Sequence, residues 1–313
     1  MIPSYFVSEE DNDDNIISLI TRDNISLPSL EFLRSDLTEL SHLTLLNLSD
    51  SRLVTLPPWI GQLTTLTTLN VQANRLTTLP VTISRLTRLT VLNLAENTLT
   101  TIPPLSLPFL TVLDISVNHL SALPSLRGFP VLRELSLSEN RLSHFPRDLS
   151  SHLTSLGIGN NDLTTLPARI GLLTNLIVLE VGGNDLLSIP KTIGLLTALQ
   201  SLDVSSNNLT TLPSSIGRLS NLTFLDVGYN DLTALPFLNQ LTRLHLLDIR
   251  YTAISALPIR NLPFLTTIII HSDPPVIAGI ETLPFRDFLI RRYLTNNAVS
   301  LTRWNPSDDS REM

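Results

Sequence analysis

Cysteine is missing altogether from this 313-residue chain, lysine occurs once, at Lys191, and aromatic residues make up only 5%. The first absence excludes a disulfide scaffold, a thiolate zinc site and a cysteine nucleophile. The second leaves arginine as nearly the whole basic complement of 21, against 28 acidic residues, for a net charge of −7. An acidic chain without basic clusters lacks the electrostatic footprint of a nucleic-acid binder, so no nucleic-acid partner is expected. Long apolar runs are absent too. Mean hydropathy is positive at +0.23, yet the richest stretch, Phe264-Leu265-Thr266-Thr267-Ile268-Ile269-Ile270, falls far short of the ~18 residues of a membrane-spanning helix. No membrane partner is expected, and the dispersed apolar content has to be buried in small portions. The first fourteen residues show neither a basic nor an apolar leader segment and carry the acidic run Glu9, Glu10, Asp11, Asp13 and Asp14. Residues 1–15 therefore read as a solvated tail and the site of action as cytoplasmic. N-x-S/T matches at Asn24, Asn47, Asn208 and Asn221 then predict no glycan.

What the chain has in abundance is leucine at fixed intervals. The pattern L-x-x-L-x-L-x-x-N-x-L-x-x-L-P recurs with first leucines at Leu43, Leu66, Leu89, Leu110, Leu132, Leu153, Leu176, Leu199, Leu222, Leu244 and Leu265, making eleven units of 21–23 residues. The eighth shows the form most fully: Leu199-Gln-Ser-Leu202-Asp-Val204-Ser-Ser-Asn207-Asn-Leu209-Thr-Thr-Leu212-Pro213-Ser-Ser-Ile216-Gly-Arg-Leu219. Alternation at Leu199, Leu202 and Val204 predicts a short strand with one apolar face. An Asn follows at a turn, where its amide can satisfy backbone groups of a neighbouring unit. It stands at positions 74, 97, 118, 140, 161, 184, 207 and 230, and gives way to Ser51, Thr252 and Asp273 in the terminal units, as capping repeats require. The Pro of the Leu-Pro step ends the strand pattern and starts an irregular or one-turn helical return. From that return Ile60, Ile83, Ile170, Ile193 and Ile216 point inward. No unit can bury its own leucines, so stability has to come from stacking neighbours.

These residues resemble the leucine-rich repeat family, in the intracellular 23-residue subtype whose units close with L-P-x-x-I-G-x-L, over about residues 43–275. The resemblance implies an α/β repeat solenoid: a horseshoe with a parallel strand ladder on its concave face and short helical or irregular segments on its convex face. The flanks read as caps. Leu30, Leu33, Leu37 and Leu40 fall at helical spacing within an N-terminal cap over 16–42. Phe285, Phe288 and Leu289, with Arg291 and Arg292 opposite, suggest a closing helix within a C-terminal cap and tail over 276–313. Similar intracellular proteins, of the Ras-suppressor and scribble types, serve as scaffolds for signalling proteins, which implies a binding role here. Bacterial effectors of the same family place a ubiquitin-ligase domain with a catalytic cysteine beside repeats of about 20 residues. This chain has no cysteine, longer units, and too little sequence beyond the array for such a domain. A ligase-free effector or substrate-receptor module in a host cytosol remains the alternative, motivated by the scarcity of lysine.

Chemistry-bearing motifs are not found. The six histidines, His42, His119, His144, His152, His245 and His271, sit at unrelated repeat positions without metal-ligand spacing. There is no G-x-S-x-G elbow and no phosphate loop. Gly157, Gly159, Gly182 and Gly183 fall inside the repeat register rather than in a dinucleotide loop. No catalytic residue, metal or cofactor is therefore expected, and the chain reads as a non-enzymatic, monomeric protein-binding module.

The register also names the residues facing solvent from each strand. Between the second and third leucines of successive units stand Asn47, Asn70, Asn93, Asp114, Ser136, Gly157, Glu180, Asp203, Asp226, Asp248 and Ile269. With neighbouring strands about 4.8 Å apart, Glu180, Asp203, Asp226 and Asp248 form a carboxylate row. Asp or Asn at this position is also a structural preference of such repeats. Phe224 falls beside Leu246, Tyr229 beside Tyr251, and Arg250 beside His271. Clustered aromatics and arginine favour an interface. These ten residues are the candidate site, and a protein partner carrying basic residues is the expected ligand.

Overall fold

The computed structural model describes residues 16–18, 42–258, 262–271, 289–293 and 299–303. The described residues form fourteen short strands, of which β2–β12 fall one to each repeat: β1 (Ile16–Ser18), β2 (Leu45–Asn47), β3 (Thr68–Asn70), β4 (Val91–Asn93), β5 (Val112–Asp114), β6 (Glu134–Ser136), β7 (Ser155–Gly157), β8 (Val178–Glu180), β9 (Ser201–Asp203), β10 (Phe224–Asp226), β11 (Leu246–Asp248), β12 (Thr267–His271), β13 (Leu289–Tyr293) and β14 (Val299–Arg303). They form a single sheet in chain order. Pairing is parallel from β1 to β13, and only β14 runs antiparallel to its neighbour. The repeat register survives intact: Leu69 pairs with Leu92, Leu179 with Leu202 and Leu225 with Leu247. Those leucines, with the first leucine of each unit and the Val or Ile after the strand, build one continuous core in which most members are wholly buried. Burying a leucine contributes about 1.5–3 kcal/mol, and each unit buries its share only against its neighbours.

Asparagine holds the turns in step. The Asn207 side-chain oxygen accepts from Leu186 N–H of the preceding unit (2.9 Å). Its amide donates to the carbonyls of Val181, Val204 and Ser205 (3.1, 3.1 and 2.9 Å). The same pattern recurs along the array, for example at Asn74 and Asn184. Where the ladder ends, smaller hydroxyls keep part of the bonding. Thr252 Oγ1 donates to Ile249 O at 2.8 Å, three residues back, as Asn207 does to Val204. The residue before each ladder position takes a left-handed conformation, from Asp50 to Tyr251, whatever its side chain.

On the convex side the return follows the arithmetic of the repeat. Units of 23 residues carry a five-residue 3₁₀ helix behind the Leu-Pro step: Pro58–Gln62, Val81–Arg85, Ala168–Leu172, Lys191–Leu195 and Ser214–Arg218. The units of 22 starting at Leu110 and Leu222 carry three residues, Leu126–Gly128 and Leu238–Gln240. The units of 21 starting at Leu89 and Leu132 carry none. The helix thus shortens with the unit, from five residues to a single three-residue 3₁₀ turn and then to none. Ile60, Ile83, Ile170, Ile193 and Ile216 are buried from these turns, as the sequence predicts. The Gly after the Ile lets the next unit's turn approach: a Cβ on Gly194 would lie 2.4 Å from Ser215 O, and one on Gly171 2.7 Å from Thr192 O. Ser84 replaces that Gly where the following unit has no helix, and its hydroxyl instead accepts from Ser106 N–H. In this thinner stretch a small apolar cavity opens between Leu94, Ile102, Leu105, Leu126 and Phe129.

At the ends the structure departs from expectation. The N-terminal flank adds a strand, β1, to the sheet edge, while Leu30, Leu33, Leu37 and Leu40 lie outside the described residues. Residues 289–293 form strand β13 rather than the expected helix; Phe285 and Phe288 lie outside the described residues. Periodicity cannot separate helix from strand over so short a run, and the open edge of β12 offers unpaired backbone groups that a strand satisfies and a helix does not.

Each buried group orphaned by loss of a ladder amide costs about 1–3 kcal/mol. In urea unfolding, Asn207→Ala is expected to lose at least ~2 kcal/mol, while Asn208→Ala, next to it but exposed, should fall within about ±0.5 kcal/mol of wild type. Equal effects would remove the ladder from its place in the fold.

Candidate functional site

Strand alternation sends the candidate residues to the concave face. The register sets Glu180 beside Asp203, Asp203 beside Asp226 and Asp226 beside Asp248. Beyond Asp248 the row ends at Ile269, which is buried. Phe224 pairs with Leu246 two positions earlier, and both are half-buried. Tyr229 and Tyr251 stack with ring centroids 4.4 Å apart and remain 46% and 45% exposed. Arg250 belongs to both groups. Its guanidinium grips Asp248 through Nε (3.0 and 2.9 Å) and Nη2 (2.6 Å), and it lies 5.9 Å from the centroid of the Tyr229 ring. His271 closes β12, two positions beyond the Asp248–Ile269 pair. The structure therefore gathers Asp203, Phe224, Asp226, Tyr229, Leu246, Asp248, Arg250 and Tyr251 on β9–β11 and their exits. Glu180 flanks them on β8.

The recurrent Asp or Asn has a backbone duty. In seven units its Oδ1 accepts from the N–H two residues on: Ser49 to Asn47, Gln72 to Asn70, Ala95 to Asn93, Ser116 to Asp114, Ser205 to Asp203, Gly228 to Asp226 and Arg250 to Asp248, at 2.8–3.1 Å. This Asx turn needs an acceptor oxygen and no charge, since Asn serves in β2, β3 and β4. The charge on β9–β11 is thus additional, and it is costly. Burial, then the Asp248 carboxylate, push the Asp226 carboxyl up to about 7, against the Gly228 N–H that favours the ion; Asp203 adds to the rise. Asp248, only 2% exposed, has its charge matched by Arg250.

Two features escape a reading by leucine register. Gly182 and Gly228, by lacking a Cβ, let the carboxylates lie close against the backbone: a Cβ on Gly182 would lie 2.9 and 3.0 Å from the Asp203 oxygens, and one on Gly228 would lie 3.2 Å from Asp226 Oδ1 and 3.3 Å from Asp248 Oδ1. At the strand entrances a second ladder runs along the sheet. Thr67, Thr90, Thr111, Thr154, Thr223 and Thr266 donate their hydroxyls to the carbonyl of the matching residue one unit back, at 3.0–3.2 Å. The recurring Thr at that column was its sequence signal. His245 and Phe264 stack beside it with centroids 5.8 Å apart.

Among the described residues no group of three or more His, Cys, Asp or Glu could hold a metal ion, and no helix is long and apolar enough to cross a membrane. What the geometry displays is a paired aromatic ridge beside an acidic sheet face, mounted on a repeat scaffold. Comparison with protein families identifies a leucine-rich repeat region over residues 110–227, a pair of leucine-rich repeats over 87–128 and a further repeat over 42–63. The chain belongs to the leucine-rich repeat family. No curated protein sequence matches it significantly. Among solved structures it is similar to the functional domain of InlJ from Listeria monocytogenes, which includes a cysteine ladder, with 29% identity, a TM-score of 0.66, and coverage of 74% of this chain and 49% of that one. The chain thus spans about half the length of that domain. A leucine-rich repeat protein of Leptospira interrogans matches at 29% identity and a TM-score of 0.58, over 79% of this chain and 76% of its own. The plant peptide hormone receptor RGFR1, solved in complex with RGF2, matches at 26% identity and a TM-score of 0.59, over 77% of this chain and 46% of its own.

The raised Asp226 carboxyl fixes the sign of a pH dependence. A proton held more tightly in the folded state than in the unfolded one stabilises below about pH 4, and that advantage is lost as pH rises through about 7. Asp226→Asn keeps the Asx acceptor and removes the charge. Its Tm should exceed wild type at pH 8, by about 2–4 °C for each kcal/mol relieved, and the gain should vanish by pH 4. A gain equal at both pH values would show that ionisation of Asp226 is not its source.

Proposed function

We propose that the chain is a non-enzymatic protein-binding module that holds a partner bearing basic residues on the concave face of β8–β11. One observation supports this reading above the rest: ionisable carboxyls stand at Asp203 and Asp226, where the amides of Asn70 and Asn93 perform the same backbone bond. Like charges on adjacent strands are destabilising, so charge retained there needs a use outside the fold, and attraction of a cationic partner supplies one. Tyr229 and Tyr251, large, stacked and about half exposed, are the anchors, since aromatic residues with few rotors dominate interface energetics. Phe224 and Leu246 floor the site, Glu180 extends its acidic rim, and Arg250 and His271 border it. The family is widely used for protein interaction, and one similar structure is a receptor bound to its peptide. In this reading the chain works as a monomer in the cytoplasm and engages neither nucleic acid nor membrane.

The variants that test this are gentle ones. Asp203→Asn/Asp226→Asn keeps both Asx acceptors. Tyr229→Ala/Tyr251→Ala places alanine where Ala73 already adopts the same left-handed conformation, φ 55° against 54° and 51°. Affinity capture followed by mass spectrometry should return a partner with wild type that the tyrosine variant loses. With that partner purified, the asparagine variant should weaken binding and flatten its salt dependence. Partner lists unchanged by both double variants would move the site off this face.

A further inference from the structure

Tyr229 and Tyr251 occupy equivalent positions of successive units, directly before the ladder positions held by Asn230 and Thr252. Both take the left-handed conformation, at φ 54° and 51°, and among the described residues they are the only aromatics that do so. Bulky side chains adopt this region rarely, and elsewhere the position goes to residues such as Ala73, Glu96 and Ser206. Equal backbone conformation at equivalent positions launches the two side chains in the same direction. The spacing of neighbouring strands, about 4.8 Å, then sets ring upon ring. The centroids lie 4.4 Å apart, with the planes inclined by 27°. The Tyr229 N–H donates to Arg250 O at 2.7 Å, which ties the two backbones together beside the rings. The phenol hydroxyls share a hydrogen bond. Each Cε adjoins the hydroxyl-bearing carbon, so rings stacked with their hydroxyls joined bring one Cε of Tyr229 next to one of Tyr251. Both rings are close to half exposed. The chain also holds few competing electron donors: cysteine is absent, and the two methionines are Met1 and Met313.

We infer that Tyr229 and Tyr251 form an oxidative cross-linking site, at which a one-electron oxidant of the haem-peroxidase class, supplied with hydrogen peroxide, joins the rings into a dityrosine and staples two successive units of the solenoid. The peroxidase removes one electron and one proton from each phenol, giving two neutral phenoxyl radicals whose unpaired density extends to Cε. A Cε–Cε bond forms from the two unpaired electrons, and the hydrogen on each joined carbon returns to its own oxygen. Two C–H bonds are lost and one C–C bond is made, while hydrogen peroxide takes up the two hydrogens and becomes two waters. Coupling within the chain is favoured over coupling between chains, because the partner ring is in contact before either radical forms. The site depends on the tyrosine pair alone and is independent of any partner bound beside it.

The full chain, kept dilute, is treated with a haem peroxidase and hydrogen peroxide, and dityrosine fluorescence, intact mass and a tryptic digest are read. Wild type should give a fluorescent monomer lighter by two hydrogen atoms. In the digest, residues 219–243 should be joined to residues 251–260, at least ~tenfold above any link to the two other tyrosines, Tyr5 and Tyr293. Tyr229→Phe and Tyr251→Phe keep the ring and its shape, and each should abolish that monomer. Unfolding wild type in urea before oxidation should erase the preference over Tyr5 and Tyr293. The linked monomer should also melt above oxidised Tyr251→Phe, since a bond between units cuts the freedom of the unfolded chain. Links spread without preference among the tyrosines, products mainly between chains, or a preference that survives urea would overturn the site. A linked monomer that melts no higher than oxidised Tyr251→Phe would overturn the stapling.

Discussion

The buried side-chain amide of asparagine is the bond on which this structure depends. A strand of three residues cannot hold its register by ladder hydrogen bonds alone, and the loop behind it buries backbone groups that water does not reach. By accepting from one unit and donating to two, Asn207 and its equivalents tie the exit of each strand to the exit before it. The threonine ladder does the same, more lightly, at the entrances. Between these two seams the leucines have a fixed place to pack. InlJ is described as including a cysteine ladder; this chain, which has no cysteine, ties its strand ends with amides and hydroxyls, which are indifferent to redox conditions.

Much of this was legible in the sequence because a period is evidence at every repetition. The eleven leucine registers placed β2–β12, and the Leu-Pro-x-x-Ile run placed the convex turns. The ends were poorly legible for the same reason: β1 and β13 lie outside the period, and a short run such as Leu289–Tyr293 acquires its conformation from the edge it meets. Within the site, alternation brought the carboxylates together on paper as they stand in the sheet. It could not show that Asp226 and Asn70 make the same bond, since that equivalence lies in a backbone N–H two residues away. Nor could it show that Arg250 closes on Asp248. Those are matters of side-chain reach, and the register is silent on reach.

The separation of duties along one turn explains how such a scaffold carries a site. Leucines and asparagines belong to the fold and repeat almost unchanged. The residues that point from the concave face, and the left-handed position that holds Ala73 in one unit and Tyr229 in another, are free of packing duties. A surface can be assembled there from residues distant in sequence by about one unit each. The exposed tyrosine stack needs two such positions in successive units and no rearrangement of the backbone.

The uneven convex returns have a mechanical meaning. The 3₁₀ helices form two separate runs, 58–62 with 81–85, and 168–172 through 214–218, joined by units whose returns are short or lack a helix. Resistance to bending in a solenoid comes from both layers acting as a girder, and where one layer thins the section modulus falls. Elastic deformation therefore concentrates between about residues 89 and 153. The asparagine-lined strands β2–β4 and the acidic strands β8–β11 become two stiff arms, and a partner long enough to touch both feels the spring constant of the stretch between them.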